Sequence, residues 1–233
     1  DKALLISATG TGKTYASAFA MRELGYKRVL FLVHRGQLAR QAKKSYQKVF
    51  GKNVSMGLVG AGYSDYDSDY VFATVQTLNR DEHLHYYGPN DFDCIILDEA
   101  HHSSADTYQK VMRYFKPKLW LGMTATPDKR DDDIAGCNIY EIFNHQIAYE
   151  IRLQQAMEED MLCTFHYFGI SDVSLVEEKQ LKSKKMTDRD FNLLTSDERV
   201  RHIIEQAEYY GYSGDRVKGL IFCSRIDESE ELS

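Results

Sequence analysis

Only three prolines and one tryptophan occur in 233 residues, and the four cysteines stand far apart with no Cys-x-x-Cys pair. Cys94, Cys137, Cys163 and Cys223 therefore point to neither a zinc site nor a disulfide scaffold, and are expected to be reduced, buried fillers. No uninterrupted run of about 18 apolar residues occurs, which argues against a membrane-spanning helix. No charged-then-apolar leader opens the chain, so no secretory signal is read and a cytoplasmic setting is expected. Internal repeats and low-complexity tracts are likewise missing. The first residue is Asp1 rather than methionine, and the last, Ser233, lies in a charged stretch. A fragment is expected. What is present is 43% hydrophobic content, enough for a sizeable core in one large domain or one and a half.

The net charge of −6 alone argues against a nucleic-acid binder, but the charges are unevenly spread. Residues 1–60 hold eleven Lys/Arg against two Asp/Glu, residues 61–148 hold seven against fifteen, and residues 149–233 hold eleven against eighteen. A local basic face is therefore available near the start of the chain.

That start is an apolar run, Leu4-Leu5-Ile6, which breaks into Ser7-Ala8-Thr9-Gly10-Thr11-Gly12-Lys13-Thr14. Glycines there let backbone N–H groups approach an anion, and the helix expected over Lys13–Leu24 turns its positive end to the same place. Residues 8–14 read as a phosphate cradle. In a nucleotide site Lys13 would reach the β- and γ-phosphates and the Thr14 hydroxyl would take a position on Mg²⁺. The strict pattern wants glycine five positions before Gly12, where this chain has Ser7. An ordinary strand-to-helix turn is the alternative, disfavoured by the lysine between strand and helix.

Further on, Gly25 is placed as a left-handed cap, and residues 28–33 form an apolar run expected for a parallel strand covered on both faces. A basic helix with Lys43, Lys44 and Lys48 follows His34-Arg35-Gly36-Gln37; its lysines read equally as a nucleic-acid face or as a solvated helix surface. Strands are expected over 54–59 and 70–75, with a solvated acidic, tyrosine-rich loop between them at 63–69. Thr77 lies just past the second strand, where ligands of open sheets collect. His83 and His85 could bind metal, but a surface loop is the simpler reading.

Residues 92–97 are another apolar strand, ending in Asp98-Glu99-Ala100-His101. Adjacent carboxylates at a strand's end can divide tasks: Asp98 would hold Mg²⁺, and Glu99 would position and deprotonate a water. The alternative is that the acid pair merely opens a helix over 103–115. One more strand, 119–123, ends in Thr124-Ala125-Thr126-Pro127. Alternating strands and helices with motifs at strand ends predict an α/β fold with a doubly wound, mainly parallel sheet.

In this order the motifs resemble those of the DEAD/DEAH superfamily-two helicases and translocases, and most closely the helicase subunits of type I and type III restriction enzymes. The resemblance covers most of residues 1–148. It implies a first RecA-like motor domain there, and a connector with the start of a second RecA-like domain in 149–233. It also implies that Ala8, Thr9, Gly10, Thr11, Gly12, Lys13 and Thr14 bind ATP, with Thr14 and Asp98 on Mg²⁺. Glu99, Asp98 and Lys13 would serve hydrolysis, and His101, Thr124 and Thr126 would couple it to movement. Arg35, Gln37 and Thr77 fall in strand-contacting motifs. DNA is favoured over RNA as the track, and nuclease, methylase or specificity subunits are implied partners. A nucleotide-binding switch without translocation, or an RNA helicase, remains the alternative.

After Pro127 the pattern over 134–143 is ambiguous, and 145–157 reads as a connector entering a helix. A strand is expected over 164–170, a flexible charged stretch over 179–190, and a capped helix from 195–198 onward. The run 219–225 resembles the opening strand of the second domain.

Overall fold

Eight strands are arranged in one sheet: β1 (Lys2–Ser7), β2 (Val29–Val33), β3 (Met56–Gly60), β4 (Tyr63–Ser64), β5 (Tyr70–Thr74), β6 (Cys94–Asp98), β7 (Leu119–Thr124) and β8 (Ile147–Ile151). Their order is β4-β3-β5-β2-β6-β7-β1-β8, and every pair is parallel except the β3–β4 hairpin. The structure, a computed structural model, describes residues 1–60, 62–128, 138–169, 197–211, 219–223 and 226–231.

Helices α1 (Lys13–Leu24), α2 (Gly36–Phe50), α3 (Val75–Leu78), α4 (Asp81–Leu84), α5 (Asp106–Tyr114), α6 (Ile139–Ile142) and α7 (Leu153–Glu158) lie between the strands or follow the last of them. Successive strand residues point to opposite faces, so each face builds its own apolar layer. Leu4, Ile6, Leu30, Leu32 and Leu97 pack with α3, α4, α5 and α6; Leu5, Phe31, Val33, Phe72 and Met123 pack with α1 and α2. All five residues of β2 are buried, as its unbroken apolar run requires. Gly25 caps α1 with φ 66°.

The chain divides into two units, Asp1–Thr164 and Phe165–Ser233. In the second, the described elements are α8 (Asp197–Tyr210), the helix expected after residue 198, and α9 (Ile226–Glu231). No helix among the described residues is long and apolar enough to cross a membrane.

Several segments differ from expectation, each for a local reason. The stretch 63–69 begins as β4 because Gly60 and Gly62, at φ 97° and 89°, turn the chain back on β3. Tyr66 then stacks on Tyr86 at 4.2 Å between ring centres and hydrogen-bonds His83 Nδ1 at 2.6 Å, while Leu84 and Tyr87 enter the core. The stretch expected as a surface loop around His83 is thus the short helix α4 with Leu84 and Tyr87 buried, while His85 and Tyr86 stay exposed. Residues 145–157 hold β8, which pairs with β1, before α7. The strands expected over 164–170 and 219–225 are not formed at 164–169 or 219–223, where no described strand offers its peptide groups a partner. Of the three described cysteines only Cys94 is buried; Cys163 is exposed and Cys223 partly so. Cys137, residues 134–137 of the ambiguous segment, Ile170, the charged stretch 179–190, residues 195–196 and residues 224–225 lie outside the described residues.

Candidate active site

Strands β1, β6 and β7 end side by side, and register alone gathers their last residues at one sheet edge: Ile6 pairs with Thr124, and Asp98 with Met123. Past Ser7 the chain turns through Gly10 and Gly12, whose φ values of 94° and 86° disfavour any residue with a Cβ. Gly12 is the N-cap of α1 and offers no side chain, so the first N–H groups of a 12-residue helix stay available to an anion. Ser7, buried where a strict pattern would have glycine, shares a hydrogen bond with Thr11, whose hydroxyl also donates to the Ala8 carbonyl at 2.7 Å. The serine thus ties together the two arms of the loop.

The Lys13 ammonium donates to the Ser7 and Ala8 carbonyls at 2.9 and 3.3 Å. Burial holds its pKa below the usual lysine range, against the opposing pull of Glu99 and Asp98. Burial pushes the Asp98 carboxyl up, and the adjacent Glu99 adds to that shift. The Tyr108 phenol is pushed up to about 12, chiefly by burial, with Asp98 and Glu99 adding. One ammonium and two carboxylates therefore share one partly desolvated site.

Glu99 has φ 53°, a left-handed conformation that a non-glycine residue adopts at a cost. It turns β6 sharply into the short 3₁₀ helix Ala100–His102. Glu99 Oε2 lies 3.3 Å from His101 Nδ1, and the same nitrogen lies 3.0 Å from Thr124 Oγ1. The buried Thr124 hydroxyl also accepts from the Thr126 N–H at 3.1 Å. A continuous polar path thus runs from Glu99 through His101 and Thr124 to Thr126. The Thr14 carbonyl receives a hydrogen bond from Ser17 Oγ at 2.9 Å, which fixes the first turn of α1.

Arg35, the N-cap of α2, and Gln37 are exposed at the end of β2. Thr77 lies in α3, where Thr74 Oγ1 accepts from its N–H at 3.1 Å and bonds its hydroxyl at 2.9 Å. A cavity of about 100 Å³ between these segments is lined by Gly36, Arg40, Gly60, Tyr63, Thr74 and Thr77. The sequence pattern singles out neither Arg40 nor Tyr63. A Cβ on Gly60 would sit 2.4 Å from Thr77 Oγ1, so only glycine lets the hairpin close on that hydroxyl. α2 buries Ala39, Ala42, Tyr46 and Phe50 and turns Lys44 and Lys48 outward; Lys48 with Ser45 faces the Tyr15 phenol and lowers its pKa. A second, mainly apolar cavity of about 500 Å³ opens beside the phosphate loop between α1 and β8, with Ala16, Tyr149 and Met161 along it and Lys13 and Thr11 at one end.

Residues 1–129 match the family model described as type III restriction enzyme, res subunit. The chain is 30% identical over 204 residues to the Saccharomyces cerevisiae protein named as ATP-dependent helicase IRC3, across 80% of this chain and 28% of that protein. It is 26% identical over 258 residues to the type I restriction enzyme EcoAI endonuclease subunit of Escherichia coli, across 100% of this chain and 31% of that one. It therefore spans less than a third of these curated relatives. Among solved structures, the Pyrococcus furiosus Hef helicase domain aligns with TM-score 0.52 and 24% identity over 64% of this chain and 34% of that chain. A nuclease-deletion mutant of the type ISP restriction-modification enzyme LlaGI, in complex with a DNA substrate mimic, aligns with TM-score 0.53 and 20% identity over 88% and 21%. These likenesses establish the fold as RecA-like.

Proposed function

This chain belongs to the type III restriction enzyme res subunit family, and from that premise we propose that it is the nucleotide-binding part of an ATP-driven motor that moves on DNA. The observation that supports the reading best is the meeting of Lys13, Asp98 and Glu99 at one sheet edge, with the path through His101 and Thr124 leading away from it.

Residues 8–14 cradle the phosphates with backbone N–H groups of the loop and of the first turn of α1, and Lys13 supplies the charge. The donors fit Mg²⁺, a hard cation that takes oxygen ligands: the Thr14 hydroxyl follows Lys13 in the first turn of α1, and the Asp98 carboxylate closes β6. Held there, Mg²⁺ would supply positive charge against the phosphate oxygens. Glu99, held by His101, orients the attacking water and takes its proton. His101, Thr124 and Thr126 relay the state of that site along the sheet edge. Arg35, Gln37 and Thr77 hold the nucleic-acid backbone, an assignment supported by their place at the ends of β2 and β5. DNA is favoured because the EcoAI and LlaGI relatives are restriction enzymes and LlaGI was solved with a DNA mimic. The reading includes a second RecA-like domain opening in the C-terminal part of the chain, nuclease, methylase or specificity partners, and a cytoplasmic setting.

The deciding experiment compares Lys13→Ala and Glu99→Gln in the full-length protein. Lys13→Ala is expected to stay folded and lose ATP–Mg²⁺ binding; Glu99→Gln is expected to keep binding and lose hydrolysis, since an amide cannot accept the proton. Unchanged affinity in folded Lys13→Ala overturns the assignment. Turnover that DNA fails to stimulate would instead favour a nucleotide switch.

A further inference from the structure

The phosphate loop is held from outside by residues that come after the sheet. The Ala8 N–H donates to the Ile151 carbonyl at 3.0 Å. Ala8, Ile151 and Ala156 form a small buried cluster, separate from the two main layers, with Leu162 packed against it. Leu162 reaches that place because Asp160, at φ 55°, reverses the chain after α7. The Met161 and Leu162 N–H groups then both donate to the Ala156 carbonyl, at 2.9 and 3.1 Å, closing the turn. A Cβ built on Gly10 would lie 3.0 Å from Leu162 Cδ2, so the leucine tip meets the loop at the residue whose positive φ shapes it. Two residues past Leu162, at Thr164, the first unit ends.

We infer that Leu162 is a positioning residue that braces the phosphate loop at Gly10 and ties the loop's conformation to the chain leading out of the first unit. The inference rests on the reading that residues 8–14 hold nucleotide phosphates. A loop built on left-handed glycines has little conformational restraint of its own, yet its N–H groups serve a ligand only when held within about 0.5 Å of productive geometry. A branched apolar tip against Gly10 supplies that restraint. Because Leu162 and residues 165–169 share one short stretch, ligand-induced tightening at Gly10 acts on that stretch, and coupling of this kind is reciprocal.

The test uses the full-length protein, with ADP as ligand, and four forms: wild type, Lys13→Ala, Leu162→Ala and Leu162→Met. Affinity is read by calorimetry, and hydrogen exchange is followed over residues 158–169 with and without saturating ADP. Leu162→Ala is expected to bind ADP roughly tenfold more weakly, as a loosened site does, and to lose the ADP-induced protection of 158–169 while keeping that of 8–14. Leu162→Met is expected to restore both. A Leu162→Ala form with wild-type affinity, or with ADP protection of 158–169 intact, overturns the inference. Wild-type ADP binding by Lys13→Ala overturns the underlying reading instead, a separate result. Should Leu162→Ala fail to fold, Leu162→Val and Leu162→Met carry the test, and identical affinity and protection across wild type and both variants overturns the inference.

Discussion

Asp98 closes a strand whose other four residues are fully buried and apolar, and both that burial and Glu99 push its carboxyl pKa up. An acid whose folded pKa lies above its unfolded value contributes stability that is complete below the unfolded pKa and is lost as pH rises through the folded value. At neutral pH its ionised form is therefore a net cost to the fold, of the kind retained where chemistry needs it. Asp98→Asn is expected to raise Tm at neutral pH, with the advantage shrinking as the pH drops into the carboxylate range, and to abolish Mg²⁺-dependent turnover. Calorimetric melts of both proteins across that range check it; a lower Tm for the variant at neutral pH would show that the attraction of Lys13 outweighs burial. Lys13, Asp98 and Glu99 were legible in the sequence because each sits in a contiguous strand-end motif. The contact of Leu162 with Gly10 was not, since it joins residues far apart through a turn that only the left-handed Asp160 makes possible.

Between elements, α1 and α2 are stitched by a buried hydrogen bond of 2.8 Å between Ser17 Oγ and Tyr46 Oη. The Tyr46 ring meets Phe31 and Phe72 edge-on, at 5.5 and 5.3 Å between centres, which anchors α2 to β2 and β5. Tyr46→Phe keeps the ring, and Ser17 keeps its bond to the Thr14 carbonyl, so a loss of about 1 kcal/mol is expected. Tyr46→Ala removes the ring as well and is expected to cost about 3–5 kcal/mol. Urea unfolding at constant m checks both; equal losses for the two variants would show that the hydroxyl carries the whole effect. The same elements mark what could be read beforehand. β2 and β6 announce themselves as unbroken apolar runs, and α1 by its glycine cap. β8 does not: four of its five residues are exposed and only pairing with β1 defines it. The strands expected over 164–170 and 219–225 are not formed at 164–169 or 219–223 for the converse reason, because apolar composition without a neighbouring strand among the described residues does not make one.

For the whole molecule, the proposed chemistry sits on one unit, and in sites of this class a cationic group entering from an opposite lobe contributes about 10³- to 10⁵-fold in rate. Residues 1–233 alone are thus expected to bind ATP or ADP through residues 8–14, hydrolyse ATP about 10³-fold or more slowly than the full-length protein, and unwind nothing. Steady-state ATPase of the two forms with and without DNA checks this, and equal, equally stimulated rates would refute it. The sheet order bears on a different moment in the protein's life. Within this sheet β1 is made before the other strands, yet its neighbours are β7 and β8, with Lys2 opposite Trp120 and Ser7 opposite Ile151. At a synthesis rate of roughly 5–20 residues per second, the nascent strand waits on the order of ten seconds for partners. The middle strands β2, β5 and β6 can pair among themselves meanwhile, but Leu4, Leu5 and Ile6 stay uncovered on the ribosome. The phosphate loop therefore acquires its shape only after β7 and β8 have been made, and until then that apolar segment is the natural target for a chaperone.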